Sequence, residues 1–215
     1  MKSGINPSDI NLSKFFSDGN AYSQIEDPFE FKAKDFLDFA SEDLKGKSVR
    51  DTVNALGNIK RSIDCLFDSL LFVVNFLKHS KRKRWTFPEK MNFLGEIGII
   101  TPDILSRINS TRNLLEHEFK KPKRADVETA YDVAVLLYYA TVRFTKEFVS
   151  DMCLAEEGEE DSGIRLIINR ERRKIDILPA YEKKKFASFS VTWDENPDEY
   201  KKWLHLIYQV QYNCI

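Results

Sequence analysis

Cysteine is scarce: the 215 residues contain three, Cys65, Cys153 and Cys214, far apart and odd in number. They form no C-x-x-C pair and no Cys/His ligand spacing, which argues against a disulfide framework and a zinc site. No metal and no cofactor is expected, and this cysteine usage suits a reducing cytoplasm. A hydrophobic signal region is missing from Met1-Lys2-Ser3-Gly4-Ile5-Asn6-Pro7. Long apolar runs are also missing. The most apolar one, Cys65 to Leu77, is broken by Asp68, Ser69 and Asn75, so it fits a core helix better than a membrane span. Charge of one sign does not dominate either, with 33 basic against 34 acidic residues, so no global field announces a nucleic-acid binder. There is no Gly-rich phosphate loop, no His-Glu-x-x-His helix, no nucleophile elbow and no paired-carboxylate signature.

What is present is helical periodicity. Residues 1–26 mix Ser, Asn, Asp and Gly with isolated aromatics and read as an irregular arm. Phe31, Phe36, Leu37 and Ala40 then recur at helical spacing after Asp27-Pro28, with Gly46 as the stop. A long helix is expected from about Ser48 to His79, carried by the stripe Val49, Val53, Leu56, Ile59, Ile63, Leu66, Leu70, Val73 and Leu77. Beside it runs a polar stripe, Asn54, Asn58, Arg61 and Asp68, with Lys60 and Asp64 close by. Asn58, Arg61 and Asp64 could line a polar cleft, or form a solvated face with i,i+4 pairs.

The basic run Lys81-Arg82-Lys83-Arg84, next to Trp85, is a candidate RNA-binding segment or a solvated helix end. Thr101-Pro102-Asp103 opens a helix to about Phe119, and another runs from about Arg124 to Met152. Residues 27–153 thus read as an antiparallel bundle of four or five helices. Residues 154–163 read as an acidic linker. Residues 164–215 read as a small α+β domain of three strands and one helix, the last capped by Asn196-Pro197-Asp198. The fold class expected is therefore mainly α, with a small C-terminal α+β appendage.

Chemistry concentrates in Arg112-Asn113-Leu114-Leu115-Glu116-His117. An Arg can hold an anion and a His can move a proton near neutral pH. Asn113 lies four residues before His117 and Glu116 four after Arg112, so each could orient its partner. Arg112 with Glu116 is equally an ordinary i,i+4 ion pair, worth a few tenths of a kcal/mol. Arg112 and His117 lie about 140° apart around one helix, so they converge poorly within one subunit.

This segment resembles the signature of HEPN domains, in which an Arg, usually followed by a polar residue, precedes a His by about five positions. The long first helix with its polar stripe and the long closing helix are similar too, so the resemblance covers roughly residues 48–152. It implies a metal-independent endoribonuclease acting as a homodimer, often in toxin–antitoxin or anti-phage systems, with Arg112 and His117 catalytic and Asn113 and Glu116 supporting them. RNA is then the substrate or ligand, an antitoxin or other protein a further partner, and no membrane is involved. The resemblance equally allows a non-catalytic dimerisation or RNA/protein-binding module.

Overall fold

The computed structural model describes residues 14–100, 121–158, 162–181 and 187–213, together with Pro7 and Ile10. Among these are six α-helices and five strands. They are β1 (Phe15–Gln24), α1 (Ala33–Lys45), α2 (Val49–Val73), α3 (Leu77–Lys83), α4 (Phe87–Glu96), α5 (Arg124–Thr141), β2 (Glu147–Glu156), β3 (Gly163–Asn169), β4 (Lys174–Pro179), β5 (Phe189–Thr192) and α6 (Pro197–Asn213). The chain divides into two compact units. One holds β1, the segment Gly95–Ile99, β2 to β5 and α6; the other holds α1, α2, α3, most of α4, and α5.

The helical unit is built on α2. Ser48 accepts a hydrogen bond from Asp51 N at 3.2 Å while the Asp51 carboxylate accepts one from Ser48 N at 2.9 Å, a reciprocal cap that starts the helix where the sequence predicts. From Leu56 onward its apolar face, including Ile59, Ile63, Leu66, Phe67, Leu70 and Leu71, is fully buried, whereas Val49 of the expected stripe is exposed. Burying each such side chain contributes about 1.5–3 kcal/mol, which makes this stripe the unit's main source of stability. The faces of α1 and α5 that carry Leu37, Ala40, Val127, Ala130 and Ala134 pack here. Arg124 closes the far end of α1: its guanidinium donates to the carbonyls of Leu44 and, at 2.5 Å, Gly46. Gly46 itself has an ordinary φ of −72°, and its requirement is space, since a Cβ would lie 2.1 Å from the Asp51 carboxylate.

The expected helix to His79 is interrupted. Asn75 adopts φ 61°, and Phe76 N donates back to Leu71 O at 2.7 Å, the six-to-one bond of a Schellman end. Asn tolerates this left-handed backbone better than other non-glycine residues, and α3 starts afresh after it.

The α/β unit carries a five-stranded antiparallel sheet in the order β1-β2-β3-β4-β5. This corrects the expected mainly α architecture with a three-stranded appendage: the fold is α+β. The two strands absent from that expectation are β1 and β2. β1 holds Ser17-Asp18-Gly19-Asn20, turn-forming residues that here make a bulge, with Gly19 at φ 122° and a register shift between Ser17 and Asn20. β2 reads as a continuation of α5 because Phe144, Phe148 and Met152 recur at i,i+4. Yet Phe148, Met152 and Leu154 also suit a strand with one buried face, and the β-branched Thr141, Val142 and Thr145 weaken the helix there. The helix gives way at Thr141 to a 3₁₀ turn, Val142–Thr145.

One sheet face is apolar. Met152, Leu154, Ile164, Leu166, Ile168, Ile175, Ile177 and Val191 are buried, and so are Tyr200, Trp203, Leu204 and Ile207 of α6, which packs on β4 and β5. Asn196 caps α6 as the sequence predicts, accepting from Glu199 N at 3.2 Å and donating to the Glu199 carboxylate at 2.7 Å. Among the described residues no helix is long and apolar enough to cross a membrane.

Two glycines separate backbone strain from helix propensity. Gly98 sits at φ 81°, where a Cβ would come within 3.2 Å of His205, whereas Gly57 is in mid-α2 with only Arg61 Nη1 within 4 Å, at 3.8 Å. Gly98→Ala should cost about 1–3 kcal/mol, and Gly57→Ala should stabilise by up to about 1 kcal/mol. Urea unfolding of both variants checks this; equal effects of one sign would contradict the assigned backbone.

Candidate functional site

Arg112, Asn113, Glu116 and His117 lie outside the described residues. The helical unit nevertheless fixes the other candidates. On α2 part of the polar stripe is tied by hydrogen bonds, while Asn54 and Arg61 are exposed. Arg61 Nη1 donates to Asn58 Oδ1 at 2.9 Å, and Asn58 Nδ2 donates to the Asp43 carboxylate on α1 at 2.8 Å. The relay Arg61, Asn58, Asp43 therefore crosses from one helix to the next. Asn58 and Asp64 are half-buried and Arg61 is exposed, so the relay's cationic end faces solvent. Chemically, Asp43 holds the Asn58 amide with its oxygen toward Arg61, which leaves the remaining guanidinium N–H groups to meet an anion. Lys81, Arg82, Lys83 and Arg84 stand elsewhere, at the exposed C-terminal end of α3.

Three polar arrangements escape a reading of the sequence. The first centres on Asp27, whose side chain is only 8% exposed. It takes hydrogen bonds from Ser69 Oγ at 2.7 Å, Phe29 N at 3.2 Å and the Lys32 ammonium. Burial alone would raise this carboxyl, but the bonds from Lys32, Ser69 and Phe29 and the Lys32 charge outweigh it and hold it below the ordinary aspartate value. Only Asp27-Pro28 as a helix entry was legible, since Ser69 is remote in sequence.

The second is Cys65. Burial, with the nearby Asp27 and Asp68 carboxylates, pushes its thiol up to about 11, and Sγ donates to Phe31 O at 3.4 Å. A thiol so protonated is a poor nucleophile.

The third lies in the α/β unit, where a cavity of about 570 Å³ is lined by residues including Glu96, Asp198, Lys201, Lys202 and His205. His205 Nδ1 donates to Glu96 O at 3.0 Å, and Lys201 pairs with Glu96 and Asp198, each at 2.9 Å. The imidazole thus satisfies an end carbonyl of α4, a structural duty. Among the described residues no group of three or more His, Cys, Asp or Glu is placed to hold a metal ion.

No family model matches the chain, and neither the curated proteins nor the solved structures contain a significant match.

The depressed Asp27 value has a definite pH consequence. Its stabilisation is present above the unfolded value near 3.8 and is lost as the pH falls through the lower folded value. Asp27→Asn should therefore cost about 1–3 kcal/mol at pH 7, a cost that shrinks as the pH drops below 3.8. Urea midpoints at both pH values test it, and parallel pH profiles for the two proteins would refute it. For Cys65, alkylation by iodoacetamide at pH 8 should run about 100-fold slower than for a free thiol. Peptide mapping by mass spectrometry gives that rate, and rapid labelling of the folded chain would count against the assigned burial.

Proposed function

We propose that the chain is a HEPN-like, metal-independent endoribonuclease that works as a cytoplasmic homodimer, in a toxin–antitoxin or anti-phage setting. The observation that carries this reading is the motif Arg112-Asn113-x-x-x-His117, placed in sequence between α2 and α5. Two features support it. The described residues that flank the motif in sequence belong to a largely helical unit, and α2 carries the ordered Arg61–Asn58–Asp43 relay rather than a featureless polar face.

The chemistry follows from the residue types. Neutral His117 takes the proton of a ribose 2′-hydroxyl as that oxygen attacks the adjacent phosphorus. The P–O5′ bond breaks, the 5′-oxygen gains a proton, and the products are a 2′,3′-cyclic phosphate and a 5′-hydroxyl end. Arg112 holds the phosphate and the charge that grows on it. Because the ribose supplies the nucleophile, DNA is not cleaved. The angular separation of Arg112 and His117 is met by pairing the Arg of one subunit with the His of the other, which makes the dimer part of the site.

The full-length chain should cut RNA in EDTA and leave 2′-deoxy substrates intact. His117→Ala should lower the rate by about 10²–10⁴-fold. Intact RNA after incubation with the dimeric wild type, or equal cutting by His117→Ala, would sink the proposal.

A further inference from the structure

We infer that the end of α3, residues 78–84, is an RNA-backbone exosite; the inference rests on the ribonuclease reading for its choice of polyanion. The argument begins with charge. Between Asp68 and Glu89 the sequence has no acid, yet it places Lys78, Lys81, Arg82, Lys83 and Arg84 within seven residues. All five are exposed. Several cations elsewhere are neutralised by neighbours, as in Lys32–Asp27, Lys90–Asp68, Arg124–Glu128 and Arg165–Asp151. Among the described residues no carboxylate pairs with Lys78, Arg82, Lys83 or Arg84, and the Lys81 ammonium lies 5.9 Å from the centre of the Phe29 ring.

Folding does not account for this cluster. Cations at a helix C-terminus gain from the backbone dipole, but Lys78 and Arg82 are like charges at i,i+4 and repel. Arg84 moreover adopts φ 54°, a left-handed position where Gly or Asn would be less strained. A charge excess and a strained backbone at the same turn mark a place where local stability has been given up for another purpose.

The turn is also closed by hydrogen bonds and ring contacts. Trp85 N donates to Ser80 O at 2.9 Å, Arg84 N to Lys81 O at 3.1 Å, and the buried Ser80 Oγ to Leu77 O at 3.0 Å. The Trp85 ring packs on Phe93 and His79, with centroids 5.2 and 5.4 Å away. The cations therefore project from a hydrogen-bonded backbone, which reduces the ordering cost of binding. The partner is a polyanion with closely repeated charges, and two arginine forks match phosphate oxygens bidentately. A bilayer is disfavoured because no exposed large hydrophobic side chain lies in residues 77–96 to insert into it.

The probe is an unstructured, fluorescently labelled RNA of about 20 nucleotides, 2′-O-methylated so that it cannot be cut through its 2′-oxygens. The test variant combines Lys78→Gln, Arg82→Gln, Lys83→Gln and Arg84→Asn, with Asn chosen to tolerate the left-handed backbone. Its unfolding midpoint is measured alongside to show that it folds. Removing four phosphate contacts should flatten the slope of log affinity against log salt by about 2.8, so between about 50 and 200 mM salt the wild type loses roughly 50-fold more affinity than the variant. An unchanged slope and affinity in the folded variant would overturn the exosite. So would turn-dependent binding to phosphatidylserine vesicles with none to RNA. If the slope flattens but wild type cuts no unmodified RNA, the exosite stands and the ribonuclease reading falls. If His117→Ala abolishes cutting while the turn variant binds like wild type, the reverse holds.

Discussion

The antiparallel pairing of β1 with β2 is the constraint on which the rest of the chain depends. It joins Phe15 to Glu156 and Gln24 to Glu147, so a helical excursion begins at Ile25 and ends at Lys146, its described residues belonging to the helical unit except Gly95–Ile99. The Ile25 N to Lys146 O bond, at 2.7 Å, closes its base. Closing a flexible loop of that length costs about 4 kcal/mol in chain entropy, plus a constant. An excursion that folds into helices with adjacent ends removes most of that cost before the strands meet. The helical unit is thus what makes a sheet with so remote a first pair practicable. Its core must then be self-sufficient, and the buried face of α2 supplies that.

This geometry explains which parts of the fold the sequence disclosed. Helices with one apolar face announce themselves over many turns, and Ser48 and Asn196 marked two starts through side-chain capping that is local by nature. β1 could not announce itself. It is an edge strand with a mostly exposed, polar sequence and a bulge at Gly19, so neither alternation nor β-propensity is expressed in it. β2 was hidden for the opposite reason: its apolar residues satisfy two periods at once over Phe144 to Met152, and only the partner strands decide between them. A residue pattern records local geometry, whereas the partner that makes β1 a strand lies more than a hundred positions away.

The same division runs through the polar chemistry. Asn58, Arg61 and Asp64 were recognisable as a stripe, because helical spacing alone puts them on neighbouring turns. That Asn58 is committed to Asp43 was not recognisable, since it needs the packing of α1 against α2. The Asp27 cluster was invisible for that reason too: Ser69 reaches it only because α2 runs beside the segment that precedes α1. Cys65 offers the reverse lesson. A lone cysteine in an apolar stretch invites no role, and its burial beside two carboxylates keeps the thiol protonated and gives a reason for its inertness.

Charge placement separates structural ionic groups from groups open to a partner. Asp27 and Asp68 each meet a specific cation where burial would otherwise penalise them; Lys90–Asp68 links α4 to α2, while Lys32–Asp27 stays within the segment that precedes α1. Such pairs lower the cost of enclosing a charge, and a lone partner left behind would be strongly destabilising. The end of α3 follows a different logic. Its cations stay in water, where each is already well solvated, so they add little to the fold and repel one another. Solvated charges on a hydrogen-bonded turn bind a polyanion with little reorganisation and a strong dependence on salt, whereas the Arg61–Asn58–Asp43 relay has spent part of its polarity on holding two helices together. Of these two polar regions, the turn has the greater uncommitted charge and the relay the greater order.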